Sequence, residues 1–231
     1  MRSGSSLLTQ IVSGHPEILG SGELFINYRT PWDAIPWDLR AMDGKNLVRA
    51  RGAGHGAAKI VVDKLLHDWQ LTDAALDEMR SHDVTFVFLV RRPEPAIKSC
   101  IESLSYTEED AHQYYVERLG ALAKYARHPA VSGSIALTFE ELVVETADTL
   151  ERLSQAIGLE KPLDQNYETT THKRFAGDPS TRFDSGVIQS DRATNRDGPP
   201  LDPVLLEASE RVYTDTLETF EQHLSFGAGA G

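Results

Sequence analysis

Apolar positions along this chain switch between helical spacing and short continuous runs. Leu7, Leu8, Ile11 and Val12 recur at helical intervals behind a run of small polar residues, which predicts a helix over Ser5–Ser13. His15-Pro16 ends it, because the residue before a proline is pushed out of the helical region. Residues 20–57 show no clear period and read as loops with short helices. Ile60-Val61-Val62 is a β-branched run and predicts a buried strand. Thr72–Arg80 reads as a helix with Thr72 as its N-cap. Val84–Val90 is almost continuously apolar, the pattern of a strand covered on both faces of a parallel sheet. Pro93 suits the first turn of the next helix, which runs to about Leu104. A longer helix follows from Thr107 to about Arg127, then a strand over Ile135–Phe139. Thr146–Ile157 forms a helix stopped by Gly158. Residues 164–200 are polar and read as an active-site loop region, and Val204–Leu224 is a final amphipathic helix.

Strands alternating with helices predict an α/β fold with a parallel sheet. No linker composition divides the sequence, so one domain over residues 1–231 is expected. No apolar run reaches the length of a membrane span, and no signal-peptide core stands at the amino terminus. The one cysteine, Cys100, excludes an internal disulfide and a cysteine zinc cage, and suits a reducing, cytoplasmic setting. The eight histidines show no ligand spacing, so no metal is expected. A formal net charge of −12 argues against a nucleic-acid partner. An anionic ligand would need a local cationic pocket, which makes the position of each arginine and lysine informative.

Arg2-Ser3-Gly4-Ser5-Ser6 stands directly before the first predicted helix. Small residues let backbone N–H groups curl around an anion, and the helix amino terminus adds a positive dipole end. Read alone, the segment serves equally well as an N-capped helix start. Arg91 closes the strand ending at Val90, and Ser99 follows eight residues later. Ligands of open α/β sheets bind at the carboxyl ends of strands, where a guanidinium can fork onto a phosphate. Taken singly, the two also fit a surface ion pair and an ordinary helix serine. Lys64 follows the strand Ile60–Val62 and would project from the same sheet edge. Gly52–Lys59 is rich in glycine but lacks the Gly-Lys-Ser/Thr order of a phosphate loop and precedes a strand, so it reads as a flexible loop.

In combination these pieces become specific. Arg2-Ser-Gly-Ser-Ser-Leu-Leu, with His15-Pro16 and Gly22-Glu23-Leu24-Phe25, resembles the 5′-phosphosulfate loop of sulfotransferases that use 3′-phosphoadenosine-5′-phosphosulfate (PAPS). The likeness is to bacterial members and to tyrosylprotein sulfotransferases. Val62-Asp63-Lys64 resembles the family's second active-site strand end. Phe88-Leu-Val-Arg91-Arg-Pro93, with Ser99, resembles its 3′-phosphate motif. Leu137-Thr-Phe139-Glu140-Glu141-Leu142 resembles its Tyr-Glu-Asp-Leu strand end. The four matches keep the family's order over residues 2–159.

The resemblance implies the P-loop-like sulfotransferase fold, a parallel sheet with helices on both faces. It implies sulfuryl transfer from PAPS to an acceptor hydroxyl without a metal. Arg2, Ser3, Gly4, Ser5 and Ser6 would hold the phosphosulfate, and Arg91 and Ser99 the 3′-phosphate. Lys64 and Arg2 would neutralise the leaving phosphate, Glu23 would act as base, and Lys173 and Arg174 would close over the nucleotide. Trp32, Trp37, Phe25 and Tyr28 would either line a pocket for a small-molecule or carbohydrate acceptor or fill the core. Two departures stand out. The family's hydrophobic strand and proline before Arg-Ser-Gly have no counterpart here, so additional apolar residues are expected upstream of Met1. Phe139 replaces the usual tyrosine. A nucleotide kinase-like phosphoryl transferase and an inactive nucleotide-binding relative are the alternative readings.

Overall fold

The structure is a computed structural model that describes residues 3–20, 28, 59–66, 70–167, 186, 188 and 199–226. The chain gathers into two compact units. One comprises Met1–Gly4, Val84–Gly158 and Gln189–Gly231; the other comprises Ser5–Asp83 and Leu159–Ile188.

In the unit that begins at Ser5, helix α1 (Ser5–Ser13) buries Leu7, Ile11 and Val12, three of the four positions that predict it. The chain turns through His15 and enters strand β1 (Ile18–Gly20), which pairs in parallel with β2 (Ile60–Val62). Ile18 lies opposite Ile60, and Gly20 opposite Val62. Helix α2 (Asp73–Met79) starts at the expected Thr72, whose hydroxyl accepts the Ala75 N–H at 3.2 Å. At three residues, β1 is too short to display a period, so its pattern is silent in the sequence.

A single carboxylate fastens this short sheet. The Glu17 backbone oxygen accepts from Lys59 N and Ile60 N at 2.9 and 3.1 Å. Its side chain, on a residue only 7% exposed, accepts from the backbone of Glu160 and Lys161, each at 3.3 Å. Lys59 Nζ stands 3.8 Å from Glu17 and bonds the Glu160 carboxylate as well. Burial by itself raises the Glu17 pKa. The N–H groups of Glu160 and Lys161, then Lys59 and His15, outweigh it and leave the carboxyl below its ordinary value of 4.5. A carboxyl lowered in the folded state stabilises above its unfolded pKa, and that contribution disappears as pH falls through the folded value. Glu17→Gln should therefore lower the urea midpoint near pH 7. The gap to the wild type should close as pH is lowered through the carboxylate range. A gap independent of pH would show that Glu17 acts by packing alone.

The other unit holds a three-stranded parallel sheet in the order β3 (Val87–Val90), β4 (Ile135–Thr138), β5 (Ser225–Phe226). Central β4 is buried at every position. Strand β3 begins three residues later than the apolar run suggests, and Val84 is 38% exposed. Before it, the Phe86 N–H is taken by the Ser134 hydroxyl at 2.9 Å. Helices α3 (Pro93–Leu104) and α4 (Glu108–Ala126) follow β3. Thr107 caps α4 by accepting from Asp110 N at 3.1 Å, and three acidic residues in the first turn complement the helix dipole. The inward stripe of α4 is Ala111, Tyr115, Leu119, Ala123 and Ala126.

Beyond β4 the sequence expectation fails at one residue. Phe139 opens helix α5 (Phe139–Val144) and does not end the strand. The cause is a capping box: the Thr138 hydroxyl accepts from Glu141 N at 3.1 Å, and Glu141 Oε2 accepts from Thr138 N at 2.8 Å. Helix α6 (Thr146–Ala156) then runs to Gly158, which adopts the left-handed conformation that a glycine stop provides. Helix α7 (Pro203–His223) packs on α4, with His112 Nδ1 2.7 Å from Ser209 Oγ and Arg127 Nη2 donating to Thr219 Oγ1 at 3.0 Å. It leads directly into β5, whose Ser225 pairs with Ile135. Phe220, fully buried, joins this helix to the sheet with ring centroids 5.4 Å from Phe88 and 6.3 Å from Phe226. Burial of a side chain of this size contributes about 1.5–3 kcal/mol.

Candidate functional site

Arg91 leaves β3 at its carboxyl end, where the ladder stops and α3 has not yet begun. Its guanidinium carbon lies 4.3 Å from the centroid of the Phe139 ring. Its backbone oxygen accepts the Tyr115 hydroxyl at 2.7 Å. Arg91 is 6% exposed, Phe139 5% and Tyr115 not at all, so the arginine is fixed in a dry setting from both ends. Parallel pairing of β3 with β4, Val90 opposite Thr138, brings Arg91 and Phe139 side by side because both are the first residues past their strands. Ser3 and Gly4 belong to the same unit. Gly4 has φ +86°, and a methyl group added there would lie 2.2 Å from Phe139 Cδ2. Only glycine fits that conformation against that ring without displacement. Ser99 sits within α3, 1% exposed among Ala96, Ile97 and Cys100.

A group of carboxyls and phenols surrounds this position. Glu140 accepts from Arg92 N at 3.3 Å, and burial raises its pKa against the pull of Arg91 and Arg92. Burial likewise raises Glu210 and pushes the Tyr115 and Tyr213 phenols up. These phenols therefore stay neutral over the physiological range.

In the unit that begins at Ser5, Ser5 and Ser6 open α1. Lys64 Nζ donates to Ser6 Oγ at 3.2 Å, across 58 residues of sequence. The pairing follows from parallel order: α1 precedes β1, and Lys64 stands two residues beyond β2. Its neighbour Asp63 accepts the Tyr28 hydroxyl at 2.8 Å. Tyr28 is 6% exposed. Arg2, Glu23, Lys173 and Arg174 lie outside the described residues, as do Phe25, Trp32 and Trp37. Among the described residues no cluster of histidine, cysteine, aspartate or glutamate could hold a metal ion, and no helix is long and apolar enough to cross a membrane.

Comparison with solved structures finds a match to a sulfotransferase domain from the curacin biosynthetic pathway. The TM-score is 0.62 and the identity 15%, over 93% of each chain. The chain has a sulfotransferase-like fold. No family model matches the sequence, and no curated protein matches it either.

On this fold, the residues singled out from sequence fall into two groups: Ser3, Gly4, Arg91 and Ser99 in one unit, and Ser5, Ser6 and Lys64 in the other. Sequence reasoning missed Tyr115, Glu140 and Tyr213. Tyr115 was accessible in principle, since Ala111, Tyr115 and Leu119 repeat every four residues and mark one helix face. Glu140 and Tyr213 carried no such signal, because their burial depends on how α5 and α7 pack.

Proposed function

We propose that this protein is a PAPS-dependent sulfotransferase acting on the hydroxyl of a small-molecule or carbohydrate acceptor. The observation that carries the reading is the Lys64–Ser6 hydrogen bond. It places an ammonium at the loop whose sequence resembles the phosphosulfate grip, and the fold likeness supports the same reading. Arg91, at a strand's carboxyl end, supplies a fixed guanidinium for the 3′-phosphate, with Ser99 as its partner in the motif.

In the reaction, the acceptor oxygen attacks sulfur in line while the bond from sulfur to the 5′-phosphate oxygen breaks. Adenosine 3′,5′-bisphosphate leaves. Arg2, Lys64, Ser5 and Ser6 stabilise the charge that grows on the departing oxygen. Glu23 takes the acceptor proton as the new bond forms. Lys173 and Arg174 close over the nucleotide. Cys100 is buried and forms no disulfide, in keeping with a reducing, cytoplasmic setting.

A thermal-shift panel tests the donor class. Adenosine 3′,5′-bisphosphate should raise the melting temperature, with AMP and NAD giving little or no shift. A larger shift with ATP and magnesium would favour a phosphoryl transferase instead.

A further inference from the structure

The Phe139 ring touches two elements that the donor reading uses separately. The Arg91 guanidinium carbon lies 4.3 Å from its centroid. Its edge also fills the space where Gly4 would carry a side chain, with Cδ2 and Cε2 only 2.2 and 2.5 Å from a Cβ built there. Both contacts lie within one compact unit. The ring itself is held at the first position of α5 by the Thr138–Glu141 capping box, so its place is set by backbone geometry.

A ring face attracts a cation through its quadrupole, and the attraction grows when both partners are desolvated. Here the arginine is 6% exposed and the phenylalanine 5%. The other end of Arg91 is fixed by the Tyr115 hydroxyl on its backbone oxygen. A long, rotamer-rich side chain is thereby held before any ligand arrives, which reduces the ordering entropy that binding would otherwise cost. Burial raises the pKa of nearby Glu140, against the pull of Arg91 and Arg92.

We propose that Phe139 is the positioning residue for Arg91. Its ring presents the guanidinium to the donor's 3′-phosphate and ties that arginine to the amino-terminal loop at Gly4. This rests on the reading of Arg91 as the 3′-phosphate ligand. A phenylalanine that replaces a tyrosine at this strand end thus has a task of its own, for which the ring face suffices.

The test is a series of progressively fluorinated phenylalanines at position 139. They keep the ring's shape while draining its face of negative potential. Calorimetry should show affinity for adenosine 3′,5′-bisphosphate falling stepwise, by about 3- to 30-fold across the series. Affinity for adenosine 5′-phosphate should stay level. Phe139→Tyr, which keeps the ring face, should bind as the wild type does. A flat series in a protein that does prefer the 3′-phosphorylated ligand would overturn the proposal and leave the ring as packing only. A second measurement needs no nucleotide: urea midpoints of Arg91→Met, Phe139→Leu and the double variant. The double variant should lose less than the sum of the single losses. Additive losses would overturn the ring–guanidinium coupling. If the wild type shows no preference for the 3′-phosphorylated ligand, the donor reading fails, and this cycle alone decides whether the ring holds Arg91.

Discussion

Glu23→Gln should reduce kcat for sulfuryl transfer by about 10²–10⁴-fold, the usual cost of losing a general base. The substitution keeps the side chain's shape and removes its ability to take a proton. Glu23 follows the Arg2–Ser6 loop and α1, and Gly22 before it permits a tight turn. The apolar pair Leu24-Phe25 follows it in the sequence. Donor binding should survive, because the grip on the donor is assigned to Arg2–Ser6, Lys64, Arg91 and Ser99. The informative measurement is kcat beside the dissociation constant for adenosine 3′,5′-bisphosphate. A near-normal kcat would place the base elsewhere, with His55 and His172 next to be replaced. A parallel loss of nucleotide affinity would instead point to a structural role.

Arg91→Ala should weaken adenosine 3′,5′-bisphosphate binding by about 10- to 150-fold, equivalent to roughly 1.5–3 kcal/mol for hydrogen bonds to a charged group. The selectivity of the loss is what counts. Adenosine 5′-phosphate lacks the group that Arg91 is proposed to hold, so its affinity should barely change. The substitution also removes the guanidinium from the Phe139 face, so a melting curve must accompany each binding curve. Equal losses for both ligands would mean that Arg91 supports the fold around the Tyr115 and Phe139 contacts and does not read the 3′-phosphate.

Much of the architecture was legible because its signals are local. Thr72 caps α2 and Thr107 opens α4 as their positions suggested, and α1 has the expected bounds. Ile60–Val62 is a strand as expected but is not buried as expected, since its two-stranded sheet leaves Val61 51% exposed. Gly158 ends its helix with φ +72°. The failures have physical causes. β1 and β5 are three and two residues long and exist only through pairing with distant strands, which no local period reports. Val84–Phe86 looks like strand but precedes the ladder, because the Ser134 hydroxyl binds the Phe86 N–H. Phe139 continues an apolar, strand-like run, yet Thr138-x-x-Glu141 spells the capping box that makes it the first residue of a helix.

The site divides in the same way. Motif order singled out Lys64, Ser6, Arg91 and Gly4, and the structure pairs Lys64 with Ser6 and sets Gly4 against Phe139. The contact of Phe139 with Arg91 was hidden, since a substituted tyrosine reads in sequence only as a missing hydroxyl. Its proximity to Arg91 depends on the register that sets Val90 opposite Thr138. Tyr115 reaches Arg91 from 24 residues away, through helix packing that spacing alone does not specify.

The central claim is that PAPS is the donor, and it is tested most directly by following sulfur-labelled PAPS. The protein should bind it without added metal and, given a panel of hydroxylated small molecules and sugars, release adenosine 3′,5′-bisphosphate together with a labelled sulfate ester. Failure to bind PAPS, alongside magnesium-dependent turnover of ATP, would contradict the account.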